Sequence, residues 1–185
     1  MLRYQAGEVR AFDQLLERYK RPLFQFIYRS VGSQAAAEDV LQDTFMRVIR
    51  MNQSYQQQAK FSTWLYTIAR NLCVDFARRG KHRNHASLDA PMGGDDASTL
   101  LDRQAAPGGG QDALLGDAEF SAALQRLLAQ LPQDQREVFV MRELQDLSFK
   151  EIADITGISE NTAKSRMRYA LEKLRGGLAE FLVDA

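Results

Sequence analysis

Apolar residues recur at helical spacing in two separate stretches of the chain. Between Val9 and Arg79, and again from about Asp117 to Arg175, they return every three or four residues, as in helices that bury one face. No stretch alternates apolar and polar residues with the period of two that a half-buried strand requires. The pattern therefore predicts an all-α protein with two helical units.

The segment between these units has a different composition. In residues 84–116 the sequences "APMGGDD" and "APGGGQD" concentrate Gly, Pro and Asp, with almost no aromatic residues. Such a segment cannot bury enough apolar surface to fold on its own. We predict two small helical domains, at residues 1–83 and 117–185, joined by a flexible acidic linker at 84–116, with a weak helical segment at "STLLDRQ".

Local signals divide the N-terminal unit into helices. Pro22 predicts a bend or a restart in the first long helix. Ser33 is a suitable N-cap for a helix through "AAAEDVLQDTFMRVIR". The polar stretch "MNQSYQQQAK" predicts a loop, and we expect the next helix to run from about Ser62 to Arg79 and to end at Gly80.

The C-terminal unit has the spacing of a helix-turn-helix. Pro132 suits the first position of a helix. Ser148 and Glu151 form the S-x-x-E pattern of a capping box before a short helix. Gly157 provides a turn and Ser159 an N-cap for a last long helix.

The last helix separates into two faces on a helical wheel. One face is apolar and predicted to be buried; it consists of Ala163, Met167, Ala170, Leu171 and Leu174. The opposite face carries basic and short polar side chains, which suit guanine edges and phosphates in a major groove. A solvated surface helix is the alternative interpretation. The candidate DNA-binding residues are Asn161, Thr162, Lys164, Ser165, Arg166 and Arg168.

The net charge of zero conceals an uneven distribution of charged residues. Residues 1–83 carry 14 Lys and Arg against 7 Asp and Glu, residues 84–118 carry 1 against 6, and residues 119–185 carry 9 against 11. Basic surface on the N-terminal unit and on the last helix, with acidic chain between them, favours a nucleic-acid partner despite the neutral total.

Several classes of function are disfavoured. The chain has no long apolar run for a membrane span and no signal-peptide pattern, and its single Cys73 suits a reducing cytoplasm. His82 and His85 are the only histidines, too few ligands for a zinc site or a catalytic triad. "PGGGQD" lacks the Lys-Ser/Thr of a phosphate-binding loop. We predict a cytoplasmic protein that is not an enzyme and uses no cofactor or metal.

Three segments resemble one protein family. "AEDVLQDTFMRVI", "FSTWLYTIARNLCVDFARR" and "LPQDQREVFVMRELQDLSFKEIADITGISENTAKSRMRYALEKL" resemble bacterial RNA polymerase sigma factors of the extracytoplasmic-function type. They occur in the family's order and cover nearly the whole chain outside the linker. The resemblance implies an alternative sigma factor that binds core RNA polymerase, directs it to promoters and helps to melt them.

The resemblance also implies roles for individual residues. The last helix would read the minus-thirty-five element. The helix after Ser33 has an exposed polar face that would dock on core polymerase, formed by Asp39, Gln42, Asp43 and Met46. The minus-ten element would be bound by the loop before the next helix and by that helix's outer face. These residues are Asn52, Gln53, Ser54, Tyr55, Lys60, Tyr66, Arg70, Arg78 and Lys81.

The expected partners are core RNA polymerase, promoter DNA as duplex and as opened non-template strand, and an anti-sigma factor, without direct membrane insertion. We expect the linker to be disordered in the free protein and extended in the polymerase. One alternative is a stand-alone helix-turn-helix regulator with residues 1–83 as a dimerisation or sensor domain. Another is an interaction protein that sequesters a partner.

Overall fold

The computed structural model describes residues 1–86 and 113–177, and these two ranges contain helices and no strand. The all-α prediction is therefore confirmed. The helices are α1 (Leu2–Gln5), α2 (Arg10–Val31), α3 (Gln34–Arg50), α4 (Phe61–Ala86), α5 (Ala113–Gln130), α6 (Gln133–Phe139), α7 (Phe149–Thr156) and α8 (Glu160–Gly177). A short 3-10 turn covers Asn52–Ser54, and a π-helical turn, Val140–Leu144, follows α6 directly.

The long helices α2, α3 and α4 pack on one another and form the core of the N-terminal half, residues 1–86. Their largest fully buried apolar side chains are Leu23, Phe26, Ile27, Val48 and Leu65. Burial of one such side chain contributes about 1.5–3 kcal/mol to folding, so the tertiary contacts rather than local helix propensity stabilise this half.

The helix α2 runs unbroken through Pro22, which excludes a restart and leaves a bend as the remaining form of the prediction. A proline inside a helix removes one backbone hydrogen bond and costs about 3 kcal/mol or more. The apolar residues on both sides of it, Phe12 before and Leu23 after, are buried in the same core. The free energy gained by burying apolar side chains along the whole of α2 exceeds the local cost of Pro22.

The ends of the helices follow most of the local signals. Gly32 ends α2 in the left-handed region, with φ of 76°. The Ser33 hydroxyl accepts the Ala36 N–H at 3.5 Å, which confirms it as the N-cap of α3. Helix α4 does not end at Gly80 but continues to Ala86. A glycine costs a helix interior about 1 kcal/mol, which a helix of 26 residues tolerates.

Helices enter the predicted linker from both sides. Helix α4 extends to Ala86, and α5 begins at Ala113 rather than near Asp117. Residues 87–112 lie outside the described part of the chain. The predicted linker disorder and the predicted helix at "STLLDRQ" concern these residues and stay predictions. The domain boundaries at 83 and 117 stay predictions.

The helix-turn-helix of the C-terminal half, residues 113–177, has the predicted caps. The capping box of Ser148 and Glu151 is complete, and Gly157 takes the left-handed conformation with φ of 71°. The Thr162 N–H donates to the Ser159 hydroxyl at 3.1 Å, which caps α8. Pro132 lies one residue before its predicted position, as the N-cap of α6.

Candidate nucleic-acid and polymerase interfaces

The two faces of α8 are oriented as predicted, with one exception. The buried side chains are Ala163, Met167, Ala170 and Leu174, and the exposed ones include Asn161, Thr162, Lys164, Ser165 and Arg168. Leu171 was expected in the core but is 45% exposed, because it lies at the edge of the apolar arc. The exposed face is continuous and combines cations, an amide and hydroxyls.

The cations of this face make only surface contacts. Lys164 Nζ lies 3.9 Å from Glu160 Oε2 and 5.9 Å from the ring centroid of Phe149. The Arg168 guanidinium lies 5.1 Å from the ring centroid of Tyr169. Exposed ion pairs and cation–π contacts are worth about 1 kcal/mol or less each. Both side chains can therefore leave these contacts for DNA at little cost.

Arg166 is placed differently from the rest of the predicted set. Its side chain is half-buried, and its Nε lies 3.1 Å from Asp134 Oδ2. This ion pair joins α8 to α6 within the C-terminal half. In this structure Arg166 stabilises helix packing, and its predicted contact with DNA requires that pair to open or to be shared.

The polar face of α3 is exposed as predicted. Asp39, Gln42 and Asp43 are exposed, and Met46 is 41% exposed beside them. The opposite face of the helix packs into the core through Ala37, Leu41, Phe45 and Val48. An apolar side chain among carboxylates is a composition suited to a protein partner rather than to DNA.

The loop between α3 and α4 is held in place by hydrogen bonds from side-chain amides to backbone carbonyl oxygens. The Gln5 amide of α1 donates to the carbonyl oxygens of Asn52 and Tyr55, the latter at 3.0 Å. The Asn52 amide donates to the Ile49 carbonyl at 2.9 Å. Of the four loop residues predicted to bind the minus-ten element, Asn52 to Tyr55, the middle two, Gln53 and Ser54, are exposed to solvent.

Tyr55 was expected to receive an unstacked base, but its ring is buried. The ring centroid lies 5.8 Å from that of Phe61 and 5.3 Å from that of Trp64, and the hydroxyl donates to the Ala59 carbonyl at 3.1 Å. Tyr55, Phe61 and Trp64 form an aromatic cluster at the start of α4, and the Tyr55 ring is buried in it. A base can stack on Tyr55 only after the loop moves.

The expected outward orientation of Tyr66 is wrong, since this side chain is only 4% exposed. Its ring meets that of Phe26 edge-on, at 5.3 Å and 90°. Its hydroxyl donates to Gln145 Oε1 at 2.5 Å, and burial raises the pKa of the phenol. A wheel of α4 describes that helix alone, so it could not show that α2 and α7 pack against α4 or that Gln145 lies beside Tyr66.

Arg70 also contacts the C-terminal half. Its guanidinium bonds both carboxylate oxygens of Glu137, with Nε to Oε1 at 2.6 Å and Nη2 to Oε2 at 3.3 Å. Burial raises the pKa of Glu137, and the hydrogen bond and charge of Arg70 oppose that shift. Lys60 pairs with Glu151, Nζ to Oε1 at 3.0 Å. Sequence reasoning missed these three acceptors, Gln145 included, because each lies 67 to 91 residues from its partner.

The last two residues of the predicted minus-ten set lie near the end of α4. Arg78 is exposed. Lys81 belongs to the described helix, but its side chain lies outside what the structure describes.

Other chemistry is limited within residues 1–86 and 113–177. No group of three or more His, Cys, Asp or Glu side chains there could hold a metal ion. Cys73 is buried, and burial, the largest effect, raises the pKa of its thiol to about 12. None of the helices in these ranges has the length and apolar character needed to cross a membrane.

Comparison with known proteins identifies the family. The Sigma-70 region 2 family matches residues 15–83, and the Sigma-70 region 4 family matches residues 121–174. The chain is 33% identical to ECF RNA polymerase sigma factor SigW of Bacillus subtilis, over 94% of this chain and 92% of that protein. It is 35% identical to RNA polymerase sigma factor CarQ of Myxococcus xanthus, over 100% of this chain and 98% of CarQ.

Two solved structures have the same fold over most of their length. The sigma factor RpoE of Bartonella quintana, in complex with the anti-sigma factor NepR, aligns with a TM-score of 0.71 and 25% identity, covering 92% of this chain and 98% of RpoE. CnrH, in complex with the cytosolic domain of CnrY, aligns with a TM-score of 0.66 and 25% identity, covering 95% and 92%. The chain therefore belongs to the extracytoplasmic-function sigma factors, the alternative sigma factors that direct RNA polymerase to promoters.

Proposed function

We propose that this sigma factor reads the minus-thirty-five element with the exposed face of α8. The observation that carries this assignment is the common exposure of Asn161, Lys164, Ser165 and Arg168, opposite the buried face of the same helix. Lysine and arginine donate to guanine edges and phosphates, asparagine pairs with adenine, and serine permits close approach.

The polar face of α3, with Asp39, Gln42, Asp43 and Met46, binds core RNA polymerase. Support comes from its exposure and from its acidic character within a basic half of the chain. Carboxylates around an exposed methionine match a basic protein surface and repel a DNA backbone.

The loop before α4 and the outer face of α4 bind the minus-ten element and hold the opened non-template strand. A base that leaves the duplex has to be recaptured by stacking and by hydrogen bonds. Gln53, Ser54, Lys60 and Arg78 are exposed and supply polar and cationic contacts. Tyr66 and Arg70 join them only after their contacts with the C-terminal half have been released.

The protein acts in the cytoplasm, where core polymerase is found, and supplies recognition rather than catalysis. An anti-sigma factor is a further partner. RpoE and CnrH were solved with NepR and with the cytosolic domain of CnrY, and this chain shares their fold. Such a partner would cover the basic surfaces of both halves.

Run-off transcription tests the assignment of α8. Core polymerase and the wild-type chain are first used to select active promoters from a randomised library. Lys164→Ala and Arg168→Ala are then assayed on the selected promoter, with Arg126→Ala, an exposed arginine on α5, as the charge-matched control. Loss of a base-specific contact costs about 1–3 kcal/mol, so transcription should fall about tenfold or more. Equal activity of the α8 variants and the control would refute the assignment.

A further inference from the structure

A single side chain joins the first helix of the chain to the loop that precedes α4. Gln5, the last residue of α1, donates from its amide Nε2 to the carbonyl oxygens of Asn52 and Tyr55, the latter at 3.0 Å. An amide NH2 group has two N–H donors, so both are used. The two acceptors lie 47 and 50 residues further along the chain, so this contact belongs to the tertiary structure and not to a local turn.

The two acceptors lie at opposite ends of the 3-10 turn in this loop. Asn52 is the first residue of the turn, and Tyr55 follows its last residue. The Tyr55 N–H also donates to the Asn52 carbonyl, at 3.2 Å, which closes the turn. Gln53 and Ser54 lie between the two ends and are exposed. Gln5 therefore fixes both ends of a short segment whose two middle side chains face solvent.

Helix α1 is itself anchored to the core of the N-terminal half. The ring centroid of Tyr4 lies 5.0 Å from that of Phe12, and the Phe12 ring meets that of Phe45 edge-on at 6.4 Å. Phe12 and Phe45 are buried residues of α2 and α3. After the helix, Arg3 Nε donates to Glu8 Oε2 at 2.7 Å and closes the connection to α2. Gln5 is thus held by the same core that positions α3 and α4.

The hydrogen bonds that the loop's own side chains donate are local. They run over three or four residues, from Asn52 to Ile49, from Ser54 to Met51 and from Tyr55 to Ala59. Bonds of this range shape a turn. The buried Tyr55 ring holds the end of the segment next to α4. Gln5 adds a support from a distant part of the chain that acts on both ends at once.

Holding the turn in place before DNA arrives favours discrimination between bases. A mobile segment loses backbone conformational entropy when it binds a base, whereas a segment that is already ordered has lost that entropy on folding. Hydrogen bonds to a base edge also require the donor and acceptor groups to stay within about 0.5 Å of their productive positions. A loop that cannot shift accommodates a mismatched base less easily than a loop that can.

We propose that Gln5 is a positioning residue for the minus-ten element, which holds the loop so that Gln53 and Ser54 discriminate between bases. The inference rests on the proposed function of this loop. Gln5 acts through the two backbone carbonyls and not through DNA, since both of its donors are occupied. Its loss should therefore weaken base preference at the minus-ten element and leave the minus-thirty-five element, assigned to α8, unaffected.

The test compares Gln5→Met with Gln14→Met in holoenzyme reconstituted from the full-length chain and core polymerase. Methionine keeps the length and neutrality of glutamine but has no donor. Gln14 is an exposed glutamine of α2 and receives the same chemical change. Run-off transcription from the selected promoter and from its single-base substitutions gives the base preference at each position of both elements. Hydrogen exchange of the free chain, followed by mass spectrometry, gives the protection of the loop amides.

We expect Gln5→Met to lower the base preference at the minus-ten element by about tenfold and to speed exchange in residues 51–60, while Gln14→Met behaves like wild type. Gln5→Lys keeps a donor on an unbranched chain and should retain most of the preference. Its added charge acts on DNA of any sequence alike, so it does not imitate this rescue. Unchanged preference or unchanged exchange in Gln5→Met would overturn the inference.

Gln53→Ala and Ser54→Ala, in the same transcription assay, test the assignment of the loop itself. If these two variants change the minus-ten preference and Gln5→Met does not, the loop reads the element without the support of Gln5, and only the positioning role is wrong. If none of the three variants changes the preference, the minus-ten assignment of the loop is wrong and the inference fails with it.

Discussion

At the scale of single residues, the side chains assigned to DNA fall into two groups. Lys164 and Arg168 are exposed and make weak surface contacts, whereas Tyr66 and Arg70 are bonded to Gln145 and Glu137. An exposed cation can enter a DNA groove at little cost in free energy, because its surface contacts are weak. A cation or hydroxyl that is bonded within the protein must first break that bond before it can bind DNA. Under the proposed assignment, recognition of the minus-ten element requires these bonds to open, whereas recognition of the minus-thirty-five element does not.

The buried thiol of Cys73 gives a prediction that is independent of DNA. Burial raises its pKa from 9.0 to about 12, so the native thiol stays protonated at pH 8.5 and has no access to reagent. Alkylation by iodoacetamide at that pH should be at least about a hundredfold slower in the native protein than in urea. Mass spectrometry measures the rate of alkylation. Similar rates in native buffer and in urea would show that Cys73 is not buried by the packing of α4.

At the scale of elements, short-range signals predicted the N-caps of three helices, although Gly80 does not end α4 as expected. Ser33, Ser148 and Ser159 each cap the predicted helix, because a cap bond joins positions three residues apart. The failures came from longer-range packing. A restart at Pro22 does not occur, and Tyr66 lies in an interface whose other side is 79 residues away in the sequence.

The capping box of α7 predicts a pH-dependent contribution to stability. Partial burial acts to raise the pKa of Glu151, but hydrogen bonds from Ser148 and the ammonium of Lys60 lower it overall. The carboxylate therefore stabilises the fold above its unfolded pKa of about 4.5, and this contribution is lost as pH falls through the lower folded value.

Glu151→Ala should lower the free energy of unfolding by about 1 kcal/mol at pH 7, and the difference from wild type should shrink below pH 4.5. Urea titrations followed by circular dichroism measure both values. Glu143→Ala, at an exposed position, should change stability by less than about 0.5 kcal/mol. A difference that grows in acid would contradict the assigned sign.

The unbroken helix α2 makes a second prediction about stability. Replacing Pro22 by Ala restores a backbone donor inside the helix and removes the clash of the ring with the preceding turn. Pro22→Ala should raise the free energy of unfolding, by up to about 3 kcal/mol. Arg21→Ala, at an exposed neighbour, is the control. A loss of stability in Pro22→Ala would mean that the proline sets a bend that the core requires.

At the scale of the whole molecule, the helix-turn-helix and the exposure of the polar faces of α3 and α8 could be predicted from periodicity and charge, and the family from its resemblance. The contact between the halves could not. Lys60, Tyr66 and Arg70 look like free donors in the sequence because nothing local indicates the acceptors on the other half. The sequence analysis placed these three residues on or next to α4, where the structure also has them. It did not predict that they are bonded to the C-terminal half.

The acidic face of α3 leads to a prediction for the assembled polymerase. The double variant Asp39→Ala and Asp43→Ala should bind core polymerase about tenfold more weakly, with a reduced dependence on salt. The double variant Asp13→Ala and Glu17→Ala removes two exposed charges from α2 instead and should bind like wild type. Fluorescence titration of labelled protein with core polymerase measures both, and retained affinity in the α3 variant would overturn the core-binding assignment.

Promoter recognition by a sigma factor requires the chain and core polymerase together. The most direct measurement is run-off transcription combined with permanganate footprinting, on the selected promoter, with the chain alone, core polymerase alone and both together. We expect a specific transcript and unpaired thymines at the minus-ten element only when both are present. Tight, specific duplex binding by the chain alone, with neither transcript nor opening after core polymerase is added, would contradict it.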